Sequence, residues 1–205
     1  MSAITTTEQA TTLATLLEAR RSTRKLTPAS FPPDFVADLA AAAHVVPSAF
    51  DTQPWRIVAL RERNPAFWDR IEETITARLE GDRRARYLGR ADRMRHGGMT
   101  LLVFEDCVRS APRDGVSGEE ARDQAAQSIG MVQLALWLTI TAHGLSTSLQ
   151  HWHAIIEDIA LDFVGLPREA FRLVSFMPVG EGAELAASRP EAAGRFAMED
   201  GTSDT

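Results

Sequence analysis

The sequence predicts an α+β fold in which helices enclose three or four strands. Three observations lead there. Apolar runs of strand length, Trp55 to Leu60, Met99 to Phe104 and Phe171 to Val179, lie far apart in the chain. Stretches of helical periodicity fill the intervals between them. The 205-residue length suits one compact domain, 1–205, large enough to bury a continuous core.

The elements follow in order. Thr7 to Ala19 reads as a helix with Leu13, Leu16 and Leu17 on one side. Pro28 and Pro32-Pro33 punctuate a loop, Pro33-Asp34 opens a second helix through Ala43, and Pro47 ends it. Trp55 to Leu60 alternates bulky apolar residues with Arg56 and reads as a strand. Asn64-Pro65 starts a helix to about Leu79, and the Arg-rich stretch beyond is helical until Gly97-Gly98. Met99 to Phe104, a run apolar but for Thr100, reads as a buried central strand. Asp114 to Gly118 has the composition of a flexible loop.

Glu119 to His143 is the longest helix. Ile129, Val132, Leu136 and Ile140 form one stripe, and Met131, Leu134, Trp137 and Leu138 add a second. A helix apolar over most of its circumference is either a core helix or a subunit-interface helix. Gly144 is placed to end it in the left-handed conformation. Ser146 to Trp152 is a short strand or extended loop, His153 to Val164 a helix, and Phe171 to Val179 the last strand. Beyond Gly182 an acidic extension, 183–205, reads as a solvated arm.

Composition narrows the function classes. A net charge of −6 and a pI near 5.4 argue against a nucleic-acid coat. Six arginines and one acid between Arg83 and Arg95 run the other way, and such runs are usually solvated faces. Cys107 is the only cysteine, which excludes an intrachain disulfide and suits a reducing, cytoplasmic setting. The start of the chain lacks the charge and apolar pattern of a secretory signal, and the apolar stretch Leu134 to Ala142 is too short to span a bilayer, so no membrane partner is expected.

Two segments carry the chemistry. Arg20-Arg21-Ser22-Thr23-Arg24 closes the first helix with guanidinium forks that suit phosphate oxygens bidentately. Pro47-Ser48-Ala49-Phe50-Asp51-Thr52-Gln53-Pro54-Trp55 feeds a strand and offers Ser48, Asp51 and Gln53 as donors and acceptors for a ring rimmed by carbonyl and N–H groups. Together they read as a flavin mononucleotide (FMN) site.

These residues resemble the nitroreductase family of flavoenzymes from about Leu16 to Gly182. Its RRS-x-R opening is met by Arg20, Arg21, Ser22 and Arg24, and its PS-x-x-N-x-QPW loop by Pro47, Ser48, Gln53, Pro54 and Trp55, with Asp51 standing where the family has Asn. Pro47 to Phe50 leading to Trp68-Asp69, then Phe104-Glu105-Asp106 and Ser148-Leu149-Gln150-His151-Trp152, resemble the fatty-acid-repression-mutant subgroup. The resemblance implies a mostly antiparallel central sheet surrounded by helices, and a homodimer with FMN at two interface sites. Arg20, Arg21, Ser22 and Arg24 would hold phosphate, ribityl chain and pyrimidine edge. Ser48, Asp51 and Gln53 would come from the partner subunit. Leu149, Gln150 and His151 would supply backbone N–H groups near the reactive nitrogen, and Arg189 would close on the phosphate. The implied activity is ping-pong reduction of nitroaromatics or quinones by NAD(P)H. No side-chain acid, base or nucleophile is required, so no catalytic residue is expected.

Other readings are weighed against this one. The histidines lack a matching carboxylate or cysteine pattern, and no metal is expected. His151 either touches substrate or shapes the pocket wall. Trp55, Trp68 and Trp137 read as core or interface residues, whereas Trp152, beside the expected flavin loop, is the candidate stacking platform. Cys107 reads as a small buried hydrophobe. Without G-x-S-x-G, G-x-G-x-x-G or a P-loop, hydrolase, Rossmann and NTPase readings fall away. A non-catalytic flavin-binding redox sensor is the alternative; NAD(P)H oxidation unstimulated by acceptors would mark it.

Overall fold

The computed structural model describes residues 6–182. Its elements are α1 (Thr6–Ala19), β1 (Leu26–Thr27), α2 (Phe35–Val45), a 3-10 turn (Ala49–Asp51), β2 (Trp55–Leu60), α3 (Asn64–Arg78), α4 (Gly81–Arg95), β3 (Met99–Asp106), α5 (Gly118–Ala142), β4 (Ser146–Thr147), α6 (His153–Val164) and β5 (Phe171–Gly182). The sheet has five strands in the order β1-β5-β3-β2, with β4 also paired to β5, and every strand pair is antiparallel. The expected three or four strands omitted the two-residue β1, and β5 runs three residues past Val179 because Glu181 and Gly182 pair with it.

β3 lies between β5 and β2 with helices over both faces, which is why it is buried from Met99 to Glu105 and mostly apolar there. Met99, Leu101 and Val103 pack with Phe35 and Leu39 of α2 and Ile129, Val132 and Leu136 of α5. Leu102 and Phe104 face the other way, against Phe67, Trp68 and Ile71 of α3 and Ile155 and Ile156 of α6. A bulge at Val103/Phe104 shifts the β5 register, which lets Leu173 and Phe176, three residues apart, serve the same core.

Trp152 is a core residue, not a stacking platform. It is 5% exposed and meets Tyr87 and Phe176 edge-on at 5.2 Å. Its position at the start of α6 turns the ring inward, which sequence proximity to the Leu149–His151 segment could not reveal.

α5 begins with a capping box in which Ser117 Oγ accepts the Glu120 amide and Glu120 Oε2 accepts the Ser117 amide. It ends at Gly144 with φ 71°, where Leu145 N–H reaches Ile140 O. Its first stripe is buried throughout, and its second divides, with Trp137 buried beside the first. Ile129, Val132, Leu136 and Ile140 are buried, whereas Met131 and Leu134 are 42% and 43% exposed. By length and composition α5 alone among the described helices could cross a membrane, yet its buried stripe makes it a core helix in this fold.

Candidate functional site

The arginine cluster leaves α1 in extended form. Thr23 N–H donates to Thr147 O at 3.0 Å, and Ser22 forms a parallel bridge with Thr147. The chain thereby sets Arg20 to Arg24 beside the 146–151 segment, two stretches more than 120 positions apart in the sequence. Arg20 places its guanidinium 4.4 Å from the Trp137 ring on α5, and Ser22 and Arg24 are exposed. Thr147 Oγ1 is buried with no hydrogen-bond partner among the described residues. A buried hydroxyl left unsatisfied costs roughly 1–3 kcal/mol, so the orphan invites a ligand or a water.

The segment after β4 is tied to β5. Gln150 exchanges both backbone hydrogen bonds with Phe176, and its side-chain amide donates to Ser148 Oγ at 2.8 Å. Leu149 is half-buried and His151 is exposed. The His151 imidazole is held below the ordinary 6.5 by partial burial and then by the charge of His153, whose ring lies 5.8 Å away. His153, Glu157, Arg172 and His151 line a separate cavity of about 300 Å³.

The second motif forms a strained loop. Phe50, Asp51 and Gln53 have φ of 54°, 53° and 43°, a left-handed region that costs a non-glycine residue about 1–2 kcal/mol. The loop is clasped from three directions. Ser48 Oγ accepts the Gln53 amide at 2.8 Å, Gln53 Nε2 donates to His44 O at 2.8 Å, and the Ala49 amide donates to Ser128 Oγ at 3.2 Å. Arg109 adds a hydrogen bond to Thr52 O at 3.2 Å. Asp51 is exposed, and Gln53 has one amide hydrogen committed to α2.

The two motifs do not meet within one chain. Arg20 rests on Trp137 and the loop on Ser128, which are nine residues apart on α5. That separation is half a turn around the helix and about 13 Å along it. Arg189 lies outside the described residues.

Among other predicted groups, Cys107 is half-buried, and burial followed by the Glu105 carboxylate raises its thiol above 9.0, which suppresses the nucleophilic thiolate. On α4, Arg95 bridges Asp69 and Glu72 at 2.6 Å. No group of three or more His, Cys, Asp or Glu able to hold a metal occurs among the described residues. Sequence reading missed Thr147, Ser128, Arg109 and Arg113. Ser128 had a visible signal, a small polar residue adjoining the apolar stripe of α5.

The sequence profile of the nitroreductase family matches residues 17–181. The chain belongs to the nitroreductase family. No curated protein matches it by sequence. Solved structures share the fold. Nitroreductase CinD from Lactococcus lactis, in complex with chloramphenicol, superposes with a TM-score of 0.77 at 20% identity, covering 91% of this chain and 99% of CinD. The FMN-dependent nitroreductase NfnB from Mycobacterium smegmatis, in complex with NADPH, gives 0.67 at 18% identity, covering 93% and 100%. A Desulfovibrio desulfuricans protein of this type in complex with FMN gives 0.65 at 20%, covering 91% and 96%.

Proposed function

We propose that this nitroreductase-family protein is an FMN-dependent NAD(P)H oxidoreductase that reduces nitroaromatic or quinone-type acceptors. It works as a homodimer with the cofactor between subunits, in the manner of the fatty-acid-repression-mutant subgroup, as a single 1–205 domain in a cytoplasmic setting. The observation that carries the reading is the pairing of an arginine cluster with an orphaned Thr147 hydroxyl beside it. Cationic forks and an unmet hydroxyl match a ligand that has both a phosphate and a polyol.

Arg20, Arg21, Ser22 and Arg24 would hold the phosphate and ribityl ends, and Leu149, Gln150 and His151 would border the ring. Ser48, Asp51 and Gln53 would serve the partner's site. Bound FMN supplies a two-electron carrier between NAD(P)H and acceptor. The protein's own work is to bind, orient and set the field: Arg24 opposes negative charge at the ring's pyrimidine edge, and the strained loop is preorganised by Ser128, His44 and Arg109. NAD(P)H and acceptor would take turns in one pocket.

The geometry of α5 supports the dimer. Met131 and Leu134 are exposed at matched distances from a point between Val132 and Gln133. A two-fold axis through that point would cover both side chains isologously. It would also set the partner subunit's Ser128 level with this chain's Trp137 along the antiparallel pair.

The test is a visible spectrum of the purified protein, followed by anaerobic NADPH and then a quinone or nitroaromatic. Yellow protein that bleaches and recovers with acceptor is the expected result. Yellow protein that stays oxidised would favour a sensing role, and absence of flavin after reconstitution would overturn the reading.

A further inference from the structure

The connection between β3 and α5 presses two arginines against the strained loop, and they are not equivalent. Arg109 is neutralised: its Nε lies 3.5 Å from Asp106 Oδ2, whose other oxygen accepts the Val108 and Arg109 amides, and its Nη1 grips Thr52 O. Arg113 makes no ion pair among the described residues. Its guanidinium instead lies 5.5 Å from the centroid of the Phe50 ring.

Phe50 is an odd residue to find there. A large aromatic at φ 54° is conformationally costly, and the ring is 59% exposed rather than buried in recompense. Strain spent on holding an apolar ring in the open needs a use. The cleft that Phe50 and Arg113 line together with Ala49, Thr52, Arg109 and Gln124 has a volume of about 20 Å³, room for one water and not for an aromatic molecule. An aromatic ligand would therefore rest against the exposed part of the ring rather than enter the cleft.

We propose that Arg113 and Phe50 form a specificity-determining pair that selects planar aromatic acceptors bearing a negative charge, such as a ring carboxylate. The ring of the acceptor lies against Phe50, and its anionic substituent is drawn by the unpaired guanidinium. This rests on the loop serving an oxidoreductase site as proposed above. A guanidinium beside an aromatic face is well suited to the task, since it stacks and forks to a carboxylate at once.

Benzoate and benzyl alcohol, which cannot be reduced by the enzyme, separate charge from shape. Their binding to the cofactor-loaded protein is measured by titration calorimetry in wild type, Arg113→Ala, Arg113→Lys and Phe50→Leu, alongside turnover of 4-nitrobenzoate and 4-nitrobenzyl alcohol. Wild type is expected to prefer benzoate, and the benzoate-to-benzyl-alcohol affinity ratio is expected to fall about tenfold in Arg113→Ala, equivalent to about 1.4 kcal/mol. Arg113→Lys, which keeps the charge without the planar fork, should recover part of the ratio, and Phe50→Leu should weaken both probes. A ratio unchanged in Arg113→Ala overturns the proposal, and so does a wild type with no preference for benzoate. Failure of wild type to reduce either nitro compound overturns the underlying oxidoreductase reading instead. If Arg113→Ala does not fold, Arg113→Gln, which removes the charge at similar length, takes its place: a benzoate-to-benzyl-alcohol ratio unchanged from wild type overturns the pair.

Discussion

The amide of Ala49 donates to the hydroxyl of Ser128 across 79 positions of sequence, and that hydroxyl in turn donates to Gln124 O at 2.7 Å. Ser128 is 1% exposed, so it fastens the strained loop to the middle of the longest helix from a dry site. Ser128→Ala leaves the Ala49 amide without its acceptor. We expect a loss of about 1–3 kcal/mol in urea unfolding and faster amide exchange across 49–53. Stability and exchange both equal to wild type would show that the loop holds its shape without the tether.

Asp51 replaces the family's Asn and carries an exposed, ionisable carboxylate. A fixed negative charge near a ring that becomes anionic on reduction disfavours that reduction. Asp51→Asn should raise the midpoint potential of bound flavin. The measurement is a spectroelectrochemical titration of both proteins, and a potential that stays put or falls removes Asp51 from the ring's surroundings.

The His151 imidazole is depressed by burial first and by His153 second. A histidine whose folded pKa lies below its unfolded 6.5 favours the neutral form in the native state. Its contribution to stability is present above pH 6.5 and is lost as pH falls through the depressed value. NMR titration of His151 should therefore give a midpoint below 6.5, and His153→Asn should move it upward. A midpoint unmoved by the substitution would leave burial as the sole cause.

Gly180 lies where three segments cross. A Cβ there would come within 2.6 Å of Thr27 O and 2.9 Å of Gly97 Cα, both backbone atoms that cannot rotate aside. Gly180→Ala should destabilise the fold by about 1–3 kcal/mol and lower the melting temperature, read by calorimetry. A neutral effect would mean that β1 slides away freely.

Sequence periodicity read the skeleton well because burial is nearly one-sided at most elements. β2 begins and ends at Trp55 and Leu60 as the alternation required, and α5 differs by one residue at each end. What stayed hidden was direction. Nothing in Leu149 to Trp152 tells that Trp152 turns into the core while His151 faces out, since that depends on where α6 starts. The left-handed residues of the second motif were equally opaque: Phe50 and Gln53 are not residues that announce positive φ, and tethers to His44, Ser128 and Arg109 help to hold the loop. Which oxygens and nitrogens remain available at the site therefore required the fold.

The half-turn between Ser128 and Trp137 on α5 has a genetic consequence. On the two-chain site proposed above, a chain disabled at Arg21 still donates a sound loop, and a chain disabled at Asp51 or Ser48 still donates a sound arginine cluster. Co-expressed, two inactive variants should complement each other, because a mixed pair concentrates both lesions in one site and leaves the other whole. A protein whose two motifs served the same chain could show no such rescue.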